Sequence, residues 1–190
     1  MVAAAQTAVG LSAFDADPAK VAKYLQFLTR PLDLASSAAY YRSPGLSTCA
    51  LTVLAAWRLA GCTDLECTAP YYPGRIGKAF SDVQVLAGRY GAWEQGKQAP
   101  LRAGDAWVIV DGQGGDGHMG LAVADEVDGV VATVEGGQLD PRGGSTGIGA
   151  FTRRLVRQGA GSGIVWLMGA RHIFGVARAV NLPIPDTNAP

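Results

Sequence analysis

The apolar residues in the first half of the chain recur at helical spacing. Over residues 18–30 they repeat every three or four positions, which predicts an amphipathic helix that begins after Asp17. Residues 49–59 are apolar on nearly every face of a helix, so we expect this second helix to be buried at the centre of the domain and to stop at Gly61. A third amphipathic helix is predicted over residues 78–90.

The second half of the chain consists of short apolar runs separated by turn residues. These runs predict strands over residues 106–110, 118–123, 129–135, 163–168 and 173–180. Asp128-Gly129 is a turn signal that joins the second strand to the third, and residues 136–149 are expected to form a loop. Helices followed by strands indicate an α+β fold with an antiparallel sheet. We expect residues 1–182 to form one domain and residues 183–190 a flexible tail.

Composition narrows the class of protein. The chain has 190 residues and no formal net charge, which suits one domain and argues against a nucleic-acid partner. No segment is apolar for long enough to span a membrane. The first 13 residues contain no Lys or Arg and lack the pattern of a signal peptide. We therefore expect synthesis in the cytoplasm, with another route carrying the protein to any other place of action.

The number and spacing of the cysteines limit which disulfides and metal sites the chain can form. There are three of them, Cys49, Cys62 and Cys67. An odd number argues against a disulfide framework, and neither a CxxC motif nor paired histidines accompany them, which argues against a metal site. Cys62 and Cys67 either stay reduced or form a disulfide in an oxidising compartment. In both cases Cys49 is expected to remain a thiol outside any disulfide.

Two side chains stand in settings that suit catalysis. Cys49 opens the apolar helix, where the positive end of the helix dipole favours a reactive thiolate. His118 opens a predicted strand and is one of only two histidines. If the Asp128-Gly129 turn pairs the next strand with this one, Glu135 returns to the end of the sheet that holds His118 and can orient the imidazole. Gln138 is the alternative for that role.

The ordered set of motifs resembles the CHAP and NlpC-type branches of the papain-like cysteine hydrolases. The matching residues are Cys49 at the start of a buried helix, the turn Gly104-Asp105 before a strand, the run HMGLAV over residues 118–123, and Glu135 in VEGGQ. The likeness covers roughly residues 40–138. Two positions depart from the family pattern: Thr48 precedes the cysteine in place of Asp or Trp, and Gly137 replaces an asparagine.

The resemblance implies a papain-like α+β fold in which the nucleophile helix packs on an antiparallel sheet. It implies a cysteine peptidase or amidase that needs no cofactor and cleaves an amide bond of bacterial peptidoglycan, either between sugar and peptide or within the stem peptide. Cys49, His118 and Glu135 would be nucleophile, base and orienting acid. The auxiliary candidates are Gln138, Tyr41 (or its neighbour Tyr40), which matches a family tyrosine loosely, and Ser47, which can also cap the helix.

Several biological settings fit this set of residues. A wall hydrolase without a signal peptide suits a phage lysin or an antibacterial effector that is delivered into the periplasm or wall of a target cell and is blocked by a cognate immunity protein. A toxin or protease acting on a protein or isopeptide bond would use the same residues. A binding protein that keeps the fold without catalysis is the third alternative, and it predicts an inert Cys49.

Overall fold

The structure is a computed structural model of the whole chain. It describes residues 1–12, 14–28, 49–61, 92–95, 100–110, 117–138, 149–157, 164–165 and 173–178. The predicted helix at 78–90, the predicted tail at 183–190, and Cys62 and Cys67 lie outside these ranges.

Three helices precede the sheet in the described part of the chain. They are α1 (Val2–Thr7), α2 (Pro18–Leu28) and α3 (Cys49–Leu59). Asp17 begins α2 because its Oδ1 accepts the backbone N–H of Ala19 at 2.8 Å, a bond that satisfies one free donor of the first turn. After α3 the backbone of Gly61 turns to a φ of 100°, which glycine adopts without a steric penalty. The start of α2 and the end of α3 are thus confirmed, whereas α1 was not predicted.

The described strands form one antiparallel sheet. They are β1 (Ala92–Gln95), β2 (Ala106–Val110), β3 (Gly117–Ala122), β4 (Val130–Gln138), β5 (Gly149–Arg157), β6 (Ile164–Val165) and β7 (Ile173–Arg178). Their order across the sheet is β1-β7-β2-β3-β4-β5-β6, and every neighbouring pair runs antiparallel. Helices packed on an antiparallel sheet confirm the α+β prediction.

A two-residue turn forms the tip of the connection between β3 and β4. Asp128 and Gly129 have φ values of 50° and 74°, and Val127 bridges Val130 across them. Positive φ at both central residues gives the twist that strands in a hairpin require, and Asp-Gly is the sequence that tolerates it best. The predicted turn is therefore confirmed. In the strands that it joins, Leu121 pairs with Val134.

The two faces of the sheet carry separate apolar clusters. Side chains of the three helices pack with one face of the sheet in a cluster that includes Trp57 of α3, Met119 and Val134. The second cluster consists of Leu101, Trp107, Ala122, Val131 and Val176. Because apolar side chains cover both faces, water is excluded from this part of the sheet. Any charged group within it therefore needs a partner.

One such charged pair ties the start of β2 to the end of β7. The carboxylate of Asp105 accepts a hydrogen bond from the buried guanidinium of Arg178, and the same Oδ2 accepts the backbone N–H of Arg102 at 2.8 Å. The guanidinium also donates to the carbonyl of Pro100 at 3.1 Å. The Gly104-Asp105 turn found in the sequence is thus a structural junction.

The loop predicted over residues 136–149 is wrong at both ends, because strands extend into it from each side. β4 continues to Gln138, and β5 begins at Gly149 and pairs with β4 as far as Val156, with a register shift between Glu135 and Gln138. Residues 150–157 carry two pairs of adjacent apolar residues around Thr-Arg-Arg, a pattern without strand alternation. Their strand conformation comes from pairing with β4, a contact that their own sequence does not encode.

Candidate active site

Cys49 is the first residue of α3 and points into the protein. Its side chain is 6% exposed and belongs to the cluster between the helices and the sheet. The first backbone N–H groups of a helix have no acceptor within the helix, so this position places the thiol at the positive end of the helix dipole. The thiol is hydrogen-bonded to the side chain of His118.

His118 and Glu135 form the second contact of the site. The imidazole Nε2 lies 3.1 Å from Glu135 Oε2. Because this carboxylate only accepts hydrogen bonds, Nε2 carries the proton and donates it. Nδ1 is then the ring nitrogen that remains for the thiol of Cys49. The predicted hydrogen bond between these two strands is present, and it places the imidazole between a thiol and a carboxylate.

The other carboxylate oxygen of Glu135 is also held. Oε1 accepts the hydroxyl of Thr133 at 2.6 Å, a short distance typical of a hydrogen bond to a charged acceptor. Thr133 and Glu135 are both fully buried. They lie two positions apart on β4, which puts their side chains on the same face of the strand.

Gly120 and Trp107 pack against this group. A Cβ atom at Gly120 would lie 2.5 Å from a ring carbon of Trp107 and 2.8 Å from Cγ of Glu135. Glycine is therefore the residue that lets the indole and the carboxyl side chain approach each other across β3. The rings of Trp107 and His118 meet edge to face with centroids 5.6 Å apart. These contacts restrict the orientation of both the imidazole and the acid.

The charges of the site raise the basicity of His118. Burial disfavours the protonated ring and would lower its pKa, but hydrogen bonds to Cys49 and Glu135, together with the negative charges of both groups, raise the pKa of His118 to about 9. The imidazole is consequently protonated at neutral pH. An imidazolium between two anionic partners is the arrangement that stabilises a thiolate.

The structure brings together three of the six residues singled out in the sequence. Cys49, His118 and Glu135 meet through hydrogen bonds. Tyr41 and Ser47 lie outside the described residues, as does the side chain of Gln138, whose backbone pairs with Gly149. Thr133 was missed, although a hydroxyl residue two positions before an acid on one strand is a readable signal.

A thiol, an imidazole and a carboxylate in this order can supply a nucleophile, a base and an orienting acid. Within the described residues, no group of three or more His, Cys, Asp or Glu side chains is placed to hold a metal ion. None of the helices in those ranges is both long and apolar enough to cross a membrane.

No protein-family model matches the chain, and neither a curated protein nor a solved structure matches it.

Proposed function

We propose that this protein is a cysteine-dependent amide hydrolase of papain-like fold. The observation that supports the proposal is the buried chain of contacts from the thiol of Cys49 through the imidazole of His118 to the carboxylate of Glu135. A structural cysteine needs no base beside it and no acid behind that base. The three residues also occur in the order and setting of the CHAP and NlpC-type motifs.

The proposed reaction begins with the thiolate and the imidazolium. Sγ of Cys49 attacks the carbonyl carbon of the amide, and the π electrons of the carbonyl move to its oxygen. The backbone N–H of Cys49 at the helix start is a donor for that oxyanion. As the C–N bond breaks, His118 gives its Nδ1 proton to the leaving amine, and an acyl-thioester remains on Cys49.

Hydrolysis of the thioester restores the starting state. Neutral His118 removes a proton from water, whose oxygen attacks the acyl carbon, and the thiolate leaves as the carboxylic acid forms. Glu135 keeps the proton on Nε2 throughout, so that Nδ1 always faces the reacting atoms, and its charge stabilises the imidazolium. The carboxylate itself takes no proton.

The proposed substrate is bacterial peptidoglycan, with the scissile amide either between sugar and stem peptide or within the stem. This step is supported by the likeness of the motifs around Cys49, His118 and Glu135. The place of action that goes with this substrate is the wall or periplasm of a target cell. Delivery as an effector, with an immunity protein as its inhibitor, or release as a phage lysin would bring the protein there.

The test is digestion of purified sacculi. Wild type, Cys49→Ala and the matched control Cys62→Ala are incubated with sacculi at equal concentration, and the soluble fragments are identified by mass spectrometry. We expect fragments from the wild type and the control and none from Cys49→Ala, and the fragment masses name the bond. Absence of fragments from folded wild-type protein would contradict peptidoglycan as the substrate.

A further inference from the structure

The carboxylate of Glu135 is the most deeply buried member of the candidate site. It has no exposed surface. A carboxylate removed from water is stable only where hydrogen bonds replace its hydration. His118 supplies one of them to Oε2. The second oxygen must be satisfied as well, and the group that does so decides how the carboxyl plane is oriented.

The hydroxyl of Thr133 satisfies that oxygen. It donates to Oε1 over 2.6 Å, and because an ionised carboxylate has no proton to give, the direction of the bond is fixed. We infer that Thr133 is a positioning residue of the site, whose hydroxyl holds the Glu135 carboxylate so that Oε2 faces the imidazole of His118. This inference rests on the proposed function, and it deepens it by adding a fourth side chain to the three named above.

The position of the hydroxyl is itself fixed from two directions. Thr133 pairs with Ala122 on β3, the same strand that carries His118, so the distance between hydroxyl and imidazole is set by the ladder between the two strands. On its other side Thr133 pairs with Arg153 of β5. The β-branched side chain has few χ1 rotamers, and this restriction keeps the hydroxyl aimed at Oε1.

Removal of the hydroxyl leaves Oε1 buried without its donor. The charged form of Glu135 then loses stabilisation, and the carboxyl group is free to rotate away from Nε2. Among the described residues, His118 interacts with Cys49, Glu135 and the ring of Trp107, so weaker interaction with Glu135 lowers the pKa of His118 from about 9. Hydrogen bonds to charged groups have the strength to change this pKa by about one unit and the rate by about ten- to a hundredfold.

The experiment compares Thr133→Val, which keeps the shape and removes the hydroxyl, with Thr133→Ser, which keeps the hydroxyl. Thr152→Val is the matched control, because Thr152 is exposed on β5. The pKa of His118 is measured by NMR titration of its ring carbons, and kcat and KM are measured on sacculi. If the Val variant does not fold, Thr133→Ala takes its place as the variant without a hydroxyl.

We expect the Val variant to have a His118 pKa lower by about one unit and a kcat lower by at least about tenfold with KM unchanged, while the Ser and Thr152→Val variants resemble the wild type. An unchanged His118 pKa in a folded Val or Ala variant overturns the inference. The titration needs no substrate, so it decides the role of Thr133 even if sacculi are not cleaved, which would contradict the proposed function alone.

Discussion

Replacement of Glu135 by Gln is the sharpest test of the electrostatics of the site. The amide has nearly the same shape as the carboxylate and keeps an oxygen that can face the Nε2–H of His118, but it carries no charge. The variant therefore separates the contribution of the negative charge from that of the hydrogen bond. The expected result is a fall in the pKa of His118 from its raised value of about 9.

The expected size of this change in the His118 pKa follows from the distance and the burial of the pair. Nε2 of His118 and Oε2 of Glu135 are 3.1 Å apart, and the carboxylate is fully buried. Two unit charges at that separation attract by about 5 kcal/mol at an effective dielectric constant of about 20. A carboxylate beside a titrating group changes its pKa by about one to three units, so the pKa of His118 in Glu135→Gln should lie between about 6 and 8.

The stability of the protein should follow the same shift. The pKa of His118 is higher in the folded protein than its ordinary value of 6.5, so the folded state binds the extra proton. Its contribution to the free energy of unfolding is fully present below pH 6.5, falls as the pH rises through about 9, and amounts to roughly 3 kcal/mol. In Glu135→Gln this loss should begin at the same pH, end at a lower pH and be smaller, because only the folded-state pKa is changed.

The assay is an NMR titration of the histidine ring carbons from pH 5 to about 10.5. The chain has two histidines, so a His172→Gln variant assigns both signals. Glu126→Gln is the control, because the carboxylate of Glu126 accepts a hydrogen bond from the backbone N–H of Leu101 and not from His118. A His118 signal that titrates at the same pH in Glu135→Gln and in the wild type would refute the reasoning, since the carboxylate would then contribute no charge to the imidazole.

Three further predictions concern the scaffold. Gly120→Ala places a Cβ 2.5 Å from a ring carbon of Trp107, so we expect denaturant unfolding to show a loss of about 1–3 kcal/mol, and full stability would contradict this packing. Arg178→Met leaves the carboxylate of Asp105 buried without its partner and should cost about 3–5 kcal/mol in the same assay; a loss below about 1 kcal/mol would be inconsistent with the buried pair. Gly129→Ala forces a Cβ onto a backbone with a φ of 74° and should lower stability by about 1–2 kcal/mol in thermal unfolding, where an unchanged Tm would argue against the turn.

Local sequence signals predicted the elements that are bounded by strong punctuation. α2 begins at Pro18 directly after Asp17, α3 ends before Gly61, and the hairpin reverses at Asp128-Gly129. In each case the residue types admit few other backbone conformations. The contact between His118 and Glu135 followed from the hairpin, since two strands joined by a tight turn return to the same end of the sheet.

The features that were missed depend on contacts far away in the chain. α1 has six residues, too few to be stable alone, and it is held by burial of Ala5 and Ala8 among the helices. β5 gains its conformation from β4. The contact of the Thr133 hydroxyl and the packing at Gly120 could be predicted only with the register of β3 against β4. The positions of the turn residues alone do not determine that register.

That register is what makes the hairpin a candidate active site. Leu121 pairs with Val134, and one residue further Gly120 lies opposite Glu135, in agreement with the close approach of its missing Cβ to the Glu135 side chain. His118 is then a diagonal neighbour of Glu135 on the same face, at a distance that two long side chains can bridge. A slip of one residue would turn Glu135 to the opposite face, among the apolar side chains beneath the helices. A carboxylate buried there without a partner is strongly destabilising, so the pair of His118 and Glu135 favours the observed register over the slipped one.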